Sequence, residues 1–295
     1  MIGAALTGER LGFVLRIGST LVFAAMVACI KGLGNAVPLG QVVFFRSGVA
    51  LLPLVAFLWW HSDFPQGLRT ARPLGHVARC LMGATAMFTS FGTIRLLPLA
   101  EATMLSYLSP LMLALFGWML LGERLDRRRL SAIGLGLAGV ACFSVPAFSA
   151  MRDPGILAGL ALGLLTAALT AGALIQVRRL TLAGEKAGAI AFWFALVSAL
   201  LGAATLPLGW VWPDLREISL LCGAGLAGGV AHILMTLSFR HAEAAALAPF
   251  EYLSIIWAVL AGIFLFGEVP GWNLATAGPL ILAGAILATL SSRHN

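Results

Sequence analysis

The residues able to do chemistry are few, and they lie inside apolar stretches. Arg46, His232 and Glu251 each interrupt a run of hydrophobic side chains. An ionisable group at membrane depth is costly and marks a pairing or a functional site. Arg46 falls about 10 Å into its segment by helical rise. It suits a substrate carboxylate through a bidentate pair, and equally a tie to carbonyls or to a Glu on a neighbouring helix. Glu251 stands beside Tyr252 and two residues after Pro249. A carboxylate there can carry a proton or meet a substrate ammonium, or serve as the fixed partner of an Arg or a Tyr hydroxyl. Tyr107 and Tyr252 are the chain's two tyrosines. Met87, Thr89 and Ser90 occupy the middle of one stretch, and His232, Met235 and Thr236 that of another. Aromatic and Met side chains with few polar groups suit a partly apolar ligand, although such residues are also ordinary core or lipid-facing groups. His232 reads either as a proton relay or as a satisfied core histidine.

The elements that must position these groups are membrane helices. The chain of 295 residues is 60% apolar and 11% charged, against roughly 45–50% and 25% in soluble domains, which excludes an ordinary soluble enzyme. Apolar segments of about 20 residues, enough to cross a bilayer, recur from end to end. They predict ten helices at 11–31, 39–60, 75–96, 99–121, 130–148, 155–177, 187–209, 217–239, 243–266 and 272–291. Pro38, Pro73, Pro154 and Pro213 mark helix starts and connections. Pro110 and Pro249 fall within the fourth and ninth segments, where they predict bends that act as hinges. Arg16 and Arg79 lie near helix ends and are expected to snorkel to the headgroups.

The two halves repeat one unit. Residues 92–144 align without a gap on 237–289, bringing Arg95 onto Arg240, Tyr107-Leu108-Ser109 onto Tyr252-Leu253-Ser254, and Gly122-Glu123 onto Gly267-Glu268. Five spans per copy force the second copy to insert inverted. The expected fold is therefore an all-α membrane protein, ten transmembrane helices in two inverted five-helix repeats, with residues 1–150 the first and 151–295 the second. Inverted repeats place a binding site near mid-membrane along their interface. Spans three, four, eight and nine are its expected walls.

Loop charges set the orientation. With the N-terminus inside, the cytoplasmic segments hold twelve Lys and Arg and the outer ones four: Lys31, Arg95, Arg152 and Arg216. The bias puts both termini in the cytoplasm. The net charge of +7 is thus a topology signal, and no nucleic-acid partner is expected. Arg16 interrupts the first apolar run, which reads as a retained span and not as a cleaved signal. Glu101, at the rim of span four, is expected to pair with Arg95. Glu123 and Glu268 follow helix ends and are expected to cap a following helix or meet an Arg.

Several signals carry no chemistry. Gly134-Leu135-Gly136-Leu137-Ala138-Gly139 matches a dinucleotide fingerprint, but no strand precedes it. Its glycines, with Gly223, Gly225, Gly228 and Gly229, read as close helix contacts. Cys29, Cys80, Cys142 and Cys222 have no metal spacing. No cofactor, metal site or catalytic residue is expected.

The stretch from Ala100-Glu101-Ala102-Thr103 through Tyr107-Leu108-Ser109-Pro110 to Gly122-Glu123, and its partner from Ala248-Pro249-Phe250-Glu251-Tyr252 to Gly267-Glu268, resemble the EamA-type members of the drug/metabolite transporter superfamily. Lys31 and Arg46 match the same pattern, and the likeness covers nearly the whole length. The resemblance implies a ten-helix carrier of the bacterial inner membrane exporting small metabolites, nearest to the aromatic amino-acid exporters, and not an enzyme. Tyr107, Tyr252, Glu251, Arg46, Met87, Ser90, His232 and Met235 are the expected substrate contacts. The partners are a small-molecule substrate and the lipid bilayer. The protein is expected to work as a monomer, with dimers left open. The alternatives are an exchanger of phosphorylated sugars or nucleotide sugars, which needs several central cations, and a membrane enzyme or receptor.

Overall fold

The computed structural model describes residues 8–60, 64–121, 130–131, 134–135, 138–139, 142, 154–241, 247, 250, 253–269 and 271–291. Most of the expected fifth span, Gly122-Glu123, Pro249, Glu251 and Tyr252 fall outside them. Among the described residues the chain is helical with no strand: α1 Glu9–Gly32, α2 Leu39–Trp60, α3 Pro73–Leu96, α4 Leu99–Ser106, α5 Ser109–Leu121, α6 Pro154–Leu182, α7 Ala187–Ala203, α8 Leu215–His241, α9 Leu253–Phe266 and α10 Trp272–Ser291. Five of these, α1, α2, α3, α6 and α8, are each long and apolar enough to cross a membrane. The helices expose Leu52, Leu165, Leu200 and Phe264, and Trp59, Trp60 and Trp272 stand exposed at helix ends and Trp212 just before α8, where amphipathic rings meet headgroups.

Two boundaries differ from expectation. The seventh helix ends at Ala203, because Thr205 turns its hydroxyl back to the Gly202 carbonyl (2.7 Å) and Pro207 sits in a tight 206–208 turn. The fourth span is not one helix. It breaks at Tyr107-Leu108 into α4 and α5, and Pro110 is the second residue of α5, where a missing amide proton costs nothing.

The packing follows the repeat. Helix α1 lies on α8 as α3 lies on α6; α2 lies on α8 as α7 lies on α3; α1 lies on α9 as α6 lies on α4 and α5. Helices α2 and α7 cross backbone to backbone. A Cβ on Gly202 would stand 2.6 Å from the Phe44 amide nitrogen and 2.8 Å from the Gly40 carbonyl oxygen. Gly225, Gly228 and Gly229 likewise admit Val49, Met26 and Pro53, so the expectation of close contacts holds at these three.

A pair of clasps binds the halves at opposite ends of the bundle. At one end Gln41 donates to the Val211 carbonyl (2.9 Å) and accepts from the Val211 amide (3.2 Å). At the other end Glu185, just before α7, reaches the segment leading into α3. Its Oε1 accepts from the Thr70 hydroxyl (2.8 Å), the Ala71 amide (2.9 Å) and the Arg72 amide (3.2 Å), and its Oε2 lies 3.2 Å from His76 Nε2. Burial alone would raise the Glu185 carboxyl, but these hydrogen bonds from Thr70, His76 and Ala71 outweigh it and hold its pKa below the usual carboxylate value. The carboxylate also sits at the positive end of α3.

Candidate functional site

The site begins at Gly267. Its φ of 65° is a left-handed conformation that glycine adopts without penalty. The turn carries Glu268 back over α9, where the side chain lies so close to Gly262 that a Cβ there would stand 2.8 Å from its Oε2. From this position Glu268 Oε2 accepts the Leu99 amide (2.8 Å), the first residue of α4. A carboxylate at a helix N-terminus satisfies an orphan donor and meets the positive end of the dipole. Its other oxygen pairs with Lys31 Nζ at 2.6 Å, and Lys31 also donates to the Leu97 (2.9 Å) and Ile94 (3.3 Å) carbonyls. Glu268 thus caps α4 and not, as expected, the helix that follows it, and its cationic partner is Lys31 and not an Arg. Arg95 donates instead to the Val37 carbonyl, within reach of the end of α3. The expected Glu101–Arg95 ion pair does not form among the described residues.

Below this roof lies a cavity of about 190 Å³. It is lined by Phe23, Ala24 and Val27 of α1, Ser90, Thr93 and Ile94 of α3, Leu99, Ala102, Thr103 and Ser106 of α4, Gly163 and Thr166 of α6, and Ser254 and Ala258 of α9. The walls therefore include the first and sixth spans, and α8 is absent from the described lining, in contrast to the expected set. Drug-sized ligand pockets measure roughly 300–1,000 Å³, so this space suits a small solute unless its walls move apart. At its deep end the Tyr107 hydroxyl bonds the Ser254 hydroxyl across the two halves, and Tyr107 is only 8% exposed. The α4–α5 break places Tyr107 there. Interrupted helices supply the sites of many carriers.

Of the expected contacts, Ser90 lines the cavity and Tyr107 braces it through Ser254. Met87 is buried between α3 and α2, 3.7 Å from the Ser47 hydroxyl. Met235 is half-buried on α8. Arg46 is 6% exposed and its Nη2 lies 3.5 Å from His232 Nε2. A guanidinium only donates, so His232 Nε2 is the acceptor in this contact. Arg46 Nε has no hydrogen-bond partner among the described residues. Phe23 stands edge-on to His232 at 5.0 Å and forms the partition between this pair and the cavity. Arg79 does not snorkel as expected: its guanidinium stacks on Phe194 at 4.3 Å with Nε and Nη1 buried, a favourable cation–π arrangement.

Sequence reasoning missed Phe23, Thr93, Thr103, Thr166, Gln41 and Glu185. A weak signal existed for the threonines, since Thr89 and Thr93 recur at the spacing that shares one helix face.

A helical membrane bundle with a solute-sized chamber between its halves defines a multi-pass membrane transporter. The chain belongs to the EamA-like transporter family, whose sequence profile matches residues 10–145. It is similar to the pseudopaline exporter of Pseudomonas aeruginosa, 30% identical over 93% of this chain and 94% of that protein. It is also similar to the S-adenosylmethionine uptake transporter of Rickettsia prowazekii, 25% identical over 90% of this chain and 87% of that one. A crystal structure covering 97% of the chain shares the fold with a TM-score of 0.65 at 24% identity. These named relatives move different solutes in opposite directions.

Proposed function

We propose that the protein exports small metabolites across the bacterial inner membrane by alternating access, with aromatic and other apolar amino acids its favoured substrates and both termini in the cytoplasm. The observation that carries this reading is the chamber on the seam between the halves, with Lys31–Glu268 above it and Tyr107 and Ser254 at its deep end. The partly apolar lining accepts a hydrophobic side chain, and the hydroxyls orient its polar end. In the opposite state Arg46, His232, Met87 and Met235, with Glu251 and Tyr252, face the solute once Phe23 moves aside, and the chain swings at the α4–α5 break beside Pro110 and near Pro249. A sugar-phosphate exchanger fits less well, since no described lining residue is charged and Lys31 is already paired.

The test is flux in proteoliposomes holding the purified protein, preloaded in turn with phenylalanine, leucine and a hexose phosphate. Phenylalanine and leucine leave faster than from empty liposomes, and Tyr107→Phe slows them. Conversion of any of the three, or efflux of the hexose phosphate alone, refutes the reading.

A further inference from the structure

Four of the hydroxyls around the chamber have their protons committed elsewhere. Thr93 donates to the Thr89 carbonyl (2.9 Å), Thr103 to the Leu99 carbonyl (2.8 Å) and Ser106 to the Thr103 carbonyl (2.6 Å). Thr166 has its single proton between the Leu162 carbonyl and the Thr89 hydroxyl oxygen, each 2.7 Å away. A hydroxyl has one proton and two lone pairs, so these four groups turn acceptors to the interior. Tyr107 and Ser254 are bonded to each other, and Ser90 alone among the described lining hydroxyls makes no hydrogen bond. No described lining residue carries an N–H side chain or a charge. Lys31, in the roof, is already bound to Glu268 and two carbonyls.

We propose that this chamber selects the protonated amino group of its solute. An ammonium brings up to three donors and no acceptor, and so complements a wall on which Thr93, Thr103, Ser106 and Thr166 offer oxygens. A carboxylate brings acceptors only, to a wall that is already acceptor-rich. The solute class is therefore primary amines and amino acids held by their amino end, with the carboxylate of an amino acid dispensable for binding. This rests on the reading of the chamber as the transport site and narrows it.

The experiment compares three probes of one skeleton on the purified full chain in lipid nanodiscs: 2-phenylethylamine, phenylalanine and 3-phenylpropanoate. Binding is measured by calorimetry. The first two bind, and 3-phenylpropanoate binds about tenfold to a hundredfold more weakly, the range expected for losing charge-assisted hydrogen bonds. Thr103→Val and Thr166→Val keep the shape, remove the acceptor and weaken the amine by about tenfold, whereas Thr103→Ser restores it. Thermal unfolding of each variant separates lost binding from lost fold. Equal or tighter binding of 3-phenylpropanoate, failure of all three probes to bind, or an amine affinity untouched in both well-folded Val variants overturns the proposal. Amine binding without flux would leave the ammonium site standing and remove the carrier reading. Phenylalanine flux with no preference over 3-phenylpropanoate would do the reverse.

Discussion

Replacing Glu185 by Ala removes the acceptor that holds the 70–72 segment and His76 to the start of α7. Four donors converge on this carboxylate at 2.8–3.2 Å. Hydrogen bonds to a charged group contribute about 1.5–3 kcal/mol each, but they are not additive, and Thr70 and Arg72 regain partners in each other or in water. A net loss of about 2–4 kcal/mol follows, a fall in Tm of roughly 4–8 °C for a chain of this size. The sign of the pH dependence is fixed by the shift. Glu185 has a lowered pKa in the folded protein, so its contribution is complete above the ordinary Glu value of about 4.3 and is lost as pH falls through the lower folded value. Thermal unfolding of detergent-solubilised wild type and Glu185→Ala is compared at pH 7 and at increasingly acid pH. The difference is largest at pH 7 and shrinks on acidification. A variant within about 1 °C of wild type at pH 7, or a gap that widens in acid, would refute the reasoning.

Three further outcomes are expected. Lys31→Met opens the roof, so that a Cys placed at Ser106 reacts faster with a membrane-impermeant thiol reagent; the exchange Lys31→Glu with Glu268→Lys slows the reaction again, and equal rates in all three count against a roof. Gly202→Ala forces a Cβ onto the Phe44 and Gly40 backbones and costs about 1–3 kcal/mol or more, whereas Gly223→Ala meets only Cys29 Sγ at 3.5 Å and leaves thermal unfolding nearly unchanged. Tyr107→Phe and Ser254→Ala each cost about 1 kcal/mol, and the double variant costs little more than either single one, because both remove the same bond.

The helices were legible because hydropathy over about 20 residues is a strong signal, and the pseudo-symmetric packing followed from Tyr107-Leu108-Ser109 and Gly267-Glu268 recurring in register. The break at Tyr107-Leu108 was not. Neither residue is a helix breaker, and the nearby Pro110 drew the expected bend to a position where the structure simply restarts a helix. Arg46 announced itself as a buried charge, but its neighbour His232 lies 186 positions away, a separation that periodicity does not reach. Glu185 and Gln41 went unread, since nothing local distinguishes a residue that clasps a distant backbone from one that meets water. The chamber hydroxyls were hidden for a related reason: Ser and Thr bond back to their own helix in any membrane span, and only the three-dimensional seam shows which of them share a wall.

Among the described residues, most long-range polar contacts join the early part of the chain to the late part: Ser19 to Ala231, Lys31 to Glu268, Gln41 to Val211, Tyr107 to Ser254, and Thr20 to Trp257. During synthesis each early residue must therefore wait for a partner made more than a hundred residues later. A truncated product stopping after its opening helices has neither lid nor floor, and so encloses nothing. The chamber is complete only once α9 and Glu268 have been made.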